Sequence, residues 1–212
     1  MTSRSGHGFG VPMSMGPYEA VIIGASMGGP PALEQVLSGI PSDFPVPIAI
    51  CQHMPAGATE SFAHRLSEVC NLPVTEAVHG ERFLPGHVYL APGGAQTRIT
   101  RNGGVSRLMV DADFADSLYV PSVDVLFSSS AQAYGPHQLA VIMTGMGWDG
   151  AAGMLAVREA GGYTIAQTLE SSHAPSMPMR AIGAGGVGEQ VSLDHLSSRI
   201  QGLVTHTGSG RN

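Results

Sequence analysis

The sequence predicts an α/β protein: a doubly wound, mostly parallel sheet with helices on both faces and an antiparallel β-hairpin at one edge. Three observations carry this. Short apolar runs rich in β-branched residues recur, and most are followed by a segment with helical spacing. That alternation points to buried parallel strands with crossover helices. With 12% charged residues, 29 Gly and 15 Pro, the composition suits a fold with many tight loops. Finally, Asn102-Gly-Gly separates two partly alternating runs, the pattern of a hairpin.

Val21-Ile-Ile23 opens the fold as a buried strand. Gly24, Gly28 and Gly29 permit a tight turn, and Pro30-Pro31 fit the first turn of a helix continuing through Leu37. Pro45 to His53 is a second strand ending in polar residues. Ala58 to Cys70 follows as an amphipathic helix with Phe62, Leu66 and Val69 on one side, then a short strand, Val74 to Ala77. Gly86–Ala91, Gln96–Thr100 and Val105–Val110 are short alternating runs, and the hairpin is expected among them. Asp113 to Tyr119 reads as a rim loop, and Ser122 as the N-cap of a helix running to about Tyr134. Gln138–Thr144 is a third strand, Ala151–Ala160 a helix closed by Gly161-Gly162, and Tyr163–Gln167 a fourth strand. A loop is expected through Pro178, then a strand at Val187–Val191 and a closing helix at Leu193–Leu203.

The 212 residues, 43% hydrophobic, suffice for one domain with a sizeable core. Residues 1–17 read as a disordered tail or linker remnant, 18–204 as the domain and 205–212 as a second tail. A net charge of −6 argues against nucleic acid and against a basic membrane-surface role. No apolar run approaches the ~20 residues of a membrane span, and no signal-peptide pattern is present. Cys51 and Cys70 form no disulfide framework, so the reading is cytoplasmic.

Sites in open parallel sheets form at the carboxyl ends of the strands. Those ends offer Ser26 after the first strand, Gln52 and His53 after the second, and Asp149 after the third. A serine hydroxyl needs a base to act as a nucleophile; His53 supplies one, and Asp149 would orient it. Taken singly, Ser26 and Asp149 also suit helix caps, and His53 a rim position. The N–H groups of Met27 and Met146, in Gly-flanked turns, are the candidate oxyanion donors. A dinucleotide site is the rival reading, but its middle glycine is Ser26 here and the second strand ends without an acid. Cys51 lies inside an apolar run and reads as core. The nine His show no metal-ligand spacing, so no metal site is expected, and a Ser–His–Asp mechanism needs no organic cofactor.

Several further stretches carry a resemblance. Ile23-Gly-Ala-Ser26-Met-Gly-Gly, Gln52-His53-Met-Pro, Gly80-Glu-Arg, Leu84-Pro-Gly-His-Val-Tyr-Leu-Ala-Pro-Gly93, Pro121-Ser-Val-Asp-Val-Leu-Phe127 and Thr144-Gly-Met-Gly-Trp-Asp149-Gly-Ala-Ala-Gly-Met154 together resemble the catalytic domain of the bacterial chemotaxis receptor methylesterases, over roughly residues 20–203. The resemblance implies a doubly wound sheet and hydrolysis of glutamate γ-methyl esters on a methylated chemoreceptor helical bundle, with deamidation of receptor glutamines as a side activity. It places the family's Ser, His and Asp on Ser26, His53 and Asp149. It also implies a receiver domain in full-length members; this sequence has only the short tail there, so a standalone or otherwise controlled protein is expected.

Some positions differ from the family pattern. Met27 stands where Thr is frequent, bulky Trp148 precedes Asp149, and Tyr119-Val120 occupy positions that are often basic. The alternative to an enzyme is therefore a receptor-binding module of the same fold, weakened or inactivated by Met27 and Trp148 closing the cleft.

Overall fold

A computed structural model describes residues 18–112 and 118–205. The tail read at 1–17, residues 206–212 of the tail read at 205–212, and residues 113–117 of the expected rim loop lie outside the described residues; Thr205, expected in that tail, instead ends the last helix.

The elements in chain order are β1 (Ala20–Ala25), α1 (Gly29–Ser38), β2 (Ile48–Gln52), α2 (Ala58–Val69), β3 (Val74–Glu76), β4 (Val88–Leu90), β5 (Gln96–Asn102), β6 (Val105–Asp111), α3 (Val123–Tyr134), β7 (Gln138–Ile142), α4 (Ala151–Glu159), β8 (Tyr163–Gln167), α5 (Ser176–Gly183), β9 (Glu189–Val191) and α6 (Leu193–Thr205). Seven strands form one parallel sheet in the order β3-β4-β2-β1-β7-β8-β9. The chain runs outward from central β1 on one side and returns through β7 to build the other. The order changes direction between β1 and β7, the place where open α/β sheets carry their sites at the strands' carboxyl ends.

Alternate residues of each strand face opposite layers. Val21 and Ile23 of β1, Ile48 and Ile50 of β2, and Leu139 and Val141 of β7 pack into one core with Leu33, Leu37, Phe62, Leu66, Leu196 and Ile200 from α1, α2 and α6. Ala20 and Ile22, Ala49 and Cys51, and Ala140 and Ile142 face a second core with Val123, Phe127, Met154, Val157, Met177 and Ala181 from α3, α4 and α5. The strands are buried on both faces, which is why they read as continuous apolar runs.

Two elements refine the sequence reading. Of the three alternating runs, Val88–Leu90 enters the parallel sheet beside β2, and only the other two form the hairpin. Gly103 and Gly104, with φ of 56° and 79°, make its two-residue turn. The hairpin is a two-stranded sheet of its own, laid over α3 and tied to it by Ile99 N–H donating to Ser129 Oγ at 3.0 Å. The second element is α5, in a stretch expected to be loop. Pro178 is its third residue, where no intrahelical N–H bond is required, so proline does not break it. Among the described residues no helix is long and apolar enough to cross a membrane.

Candidate active site

Ser26 follows β1 directly, and its position is fixed through the backbone. Its N–H donates to Thr144 O at 3.0 Å, and its carbonyl accepts from Gly29 N–H at 2.8 Å. Gln52, 2% exposed at the end of β2, sends its amide Nε2 to Ser26 O at 2.8 Å and to His53 O at 3.1 Å. One buried side chain thus ties together the backbones that carry the hydroxyl and the imidazole. The sequence placed Gln52 at the strand tip without revealing this link.

The three side chains singled out in the sequence meet. His53 Nδ1 lies 3.1 Å from Ser26 Oγ, and His53 Nε2 lies 2.7 Å from Asp149 Oδ2. The imidazole is 15% exposed and the carboxylate 2%. Burial works against charge on Asp149, but hydrogen bonds from His53, the Asp124 and Val123 N–H groups and Ser122 outweigh it, so its pKa lies below the ordinary value. An ionised carboxylate only accepts, so Nε2 carries the imidazole proton and the bare Nδ1 faces the serine. The two ring nitrogens have exchanged the places they hold in the chymotrypsin triad.

Asp149 sits on the N-terminus of α3 rather than on the helix it precedes. Its Oδ2 accepts from Val123 N–H at 2.7 Å, and its Oδ1 from Asp124 N–H and Ser122 Oγ, each at 2.9 Å. Ser122 is the expected N-cap, accepting from Val125 N–H at 3.3 Å, and its hydroxyl serves the acid as well. Asp124 returns the exchange: from the first turn of α3 it accepts from Gly153 N–H at 2.6 Å, in the first turn of α4. Burial, followed among the raising causes by the charge of Asp149, lifts the Asp124 pKa to about 6 against the opposing Gly153 bond. Neither Ser122's bond to the acid nor Asp124 was foreseen as part of the site; Pro-Ser-x-Asp at a helix start is the signal that pointed there.

The proposed oxyanion donors lie in turns beside Ser26. Gly145 presses so closely that a methyl on it would fall 2.9 Å from Ser26 Cβ and 2.1 Å from Met177 Sδ. Among the described residues, neither the Met27 nor the Met146 N–H donates to a protein group. Met27 and Trp148 are 49% and 57% exposed, on the surface around the site. Trp148 also walls a largely apolar groove of about 710 Å³ running between α4 and α5, past Leu155 and Met179. Cys51 is fully buried, and burial, then Asp149 and Asp124, push its thiol pKa well up, which leaves it protonated in the core.

Fold and site together define a doubly wound α/β protein with a hydroxyl, an imidazole and a carboxylate joined along the carboxyl edge of its sheet. The family model described as CheB methylesterase matches residues 21–200, and the chain belongs to that family. It is 51% identical over 181 residues to the protein-glutamate methylesterase/protein-glutamine glutaminase 2 of Bordetella avium, covering 85% of this chain and 51% of that protein. It is 46% identical over 189 residues to the corresponding protein 1 of Cupriavidus metallidurans, covering 89% and 53%. The chain spans about half the length of the curated relatives it matches. The crystal structure of the Thermotoga maritima CheB methylesterase catalytic domain superposes with a TM-score of 0.85 at 35% identity, covering 88% of this chain and 99% of that one.

Proposed function

We propose that this chain is a cytoplasmic serine hydrolase that removes methyl groups from glutamate γ-methyl esters of a chemoreceptor helical bundle, and that it deamidates receptor glutamines by the same route. The observation that carries the reading is the pair of contacts His53 makes, to Ser26 Oγ at 3.1 Å and to Asp149 Oδ2 at 2.7 Å. The names of the relatives from Bordetella and Cupriavidus support the choice of substrate.

Ser26 Oγ attacks the ester carbonyl carbon while Nδ1 of His53 takes its proton. The imidazolium is stabilised by the Asp149 carboxylate, which the start of α3 holds ionised. The tetrahedral oxyanion faces the N–H groups of Met27 and Met146. His53 returns the proton to the departing methoxide, and methanol leaves an acyl-enzyme. Water then attacks, with His53 again the base, and frees the glutamate. For glutamine the leaving group is ammonia and the remaining steps are shared.

The test is methanol release from methylated receptor by the wild-type chain and by Ser26→Ala. Wild type should release methanol and the variant should not. Equal release by both would remove Ser26 from the chemistry. Receptor binding without turnover in the wild type would instead identify a binding module.

A further inference from the structure

We propose that Tyr119 is a positioning residue for His53, its ring holding the imidazole in the plane where Nδ1 meets Ser26 and Nε2 meets Asp149. The kinetic consequence rests on the hydrolase reading; the geometric one does not.

The two rings are stacked, with centroids 4.9 Å apart and planes inclined by 11°. Parallel offset rings at this distance attract beyond the area they bury. Histidine χ2 is a broad, soft torsion; the 2.7 Å bond to Asp149 pins the Nε2 end of the ring, while the 3.1 Å bond to a rotatable serine hydroxyl restrains the Nδ1 end weakly. A flat surface against one face narrows that freedom to a single plane. The imidazolium that forms during the reaction is also a cation over an electron-rich ring.

Tyr119 is itself braced. Trp148 meets it edge-on, with centroids 5.9 Å apart and planes at 84°. Its hydroxyl lies over the backbone of Gly147, where a Cβ would come within 2.5 Å of it. Its carbonyl accepts from Nε2 of Gln96 at 2.7 Å, and the same buried amide accepts from Ser122 N–H at 2.8 Å through Oε1. Tyr119 thus touches the base, the turn that carries the Met146 N–H, and the residue before Asp149. Aromatic character at 119, where basic residues are frequent in the family pattern, acquires a role in this way.

The experiment compares wild type with Tyr119→Phe, Tyr119→Leu and Tyr119→Gln; the last two are made in parallel so that one misfolded variant does not end the test. Two readouts are taken: the downfield proton NMR signal of His53 Nε2–H bonded to Asp149, and the rate at which a fluorophosphonate labels Ser26. Wild type and Tyr119→Phe should keep the signal and label at rates within about threefold. The Leu and Gln variants should lose the signal to exchange broadening and label about 10- to 100-fold more slowly, the scale of a small misplacement of a reacting group. An undisturbed Nε2–H signal in the Leu and Gln variants overturns the proposal whatever the labelling rate. So does a Phe variant that behaves like Leu, or a wild type lacking the signal. Loss of the signal in those two variants, with wild-type Ser26 never labelled, leaves the positioning role standing and removes the hydrolase reading.

Discussion

Replacing Asp149 by Asn tests the arrangement at its most constrained point. The carboxylate receives four donors, His53 Nε2 and Val123 N–H at Oδ2, Ser122 Oγ and Asp124 N–H at Oδ1. An amide has one acceptor oxygen, so its NH2 must face one of these pairs. Turned toward Oδ1, it meets a Ser122 hydroxyl that can reverse to accept, and the Asp124 N–H is orphaned. Turned toward Oδ2, it forces His53 to accept at Nε2, moves the imidazole proton to Nδ1 and orphans the Val123 N–H. Either way one main-chain donor loses its partner, at about 1–3 kcal/mol. Either way the negative charge opposite the imidazolium is gone, and in the second case Ser26 also faces a donor instead of a base. A wrong tautomer of this kind costs about 10⁴ in kcat in serine proteases. Asp149→Asn should therefore lower methanol release by about 10³- to 10⁴-fold and lower urea stability by about 1–3 kcal/mol. Activity within tenfold of wild type, in a variant that is folded, would refute the proton placement.

Ser122→Ala removes a helix cap and a donor to a buried carboxylate together, so stability should fall by about 2–4 kcal/mol, more than for a cap alone; a loss under about 1 kcal/mol in urea unfolding would show that the hydroxyl's two bonds count for little. Gly145→Ala places a methyl 2.1 Å from Met177 Sδ and 2.9 Å from Ser26 Cβ. It should cost about 1–3 kcal/mol and abolish labelling of Ser26 by a fluorophosphonate, whereas normal labelling would mean the turn is not packed as described. Asp124 makes stability depend on pH: its pKa rises from 3.8 to about 6 on folding, so the folded state holds the extra proton between those values. Its contribution is full below the lower value and is lost as pH climbs through about 6, the reverse of the lowered Asp149, whose contribution is lost as pH falls below its ordinary range. Asp124→Asn should gain stability relative to wild type as pH rises through that window, and parallel unfolding curves from pH 4 to 7 would contradict the shift.

What the sequence disclosed and what it withheld divide along a physical line. Ser26 and His53 were legible because each comes directly after a strand buried on both faces, so the polar residue at the tip marks the rim. The same continuous run did not divide its faces; the structure sends Val21 and Ile23 to one core and Ala20 and Ile22 to the other. The hairpin's own pairing was local and readable, but its docking was not. Nothing in Gln96–Asn102 announces that Ile99 packs over α3, or that Gln96 reaches Tyr119 and Ser122. Helix α5 was hidden by proline, whose meaning depends on whether it falls in a first turn or an interior, and the boundary decides that.

The acid was the least local of the three. Asp149 lies just before α4 and reads as its cap, yet it caps α3, while Asp124 of α3 supplies an acceptor to the α4 turn. Each helix start is satisfied by the other's carboxylate. The crossing works only because α3 and α4 pack closely: a methyl on Gly153 would lie 2.6 Å from Phe127 Cβ and 3.1 Å from Asp124 Cα. Burying Asp124 there is costly, and the neighbouring charge of Asp149 adds to the cost; its raised pKa records both. The return is an anion whose orientation is set by two rigid helices rather than by a loop. Separating α3 from α4, as a larger side chain at 153 would, should therefore reduce Ser26 labelling even though no residue that touches it has changed.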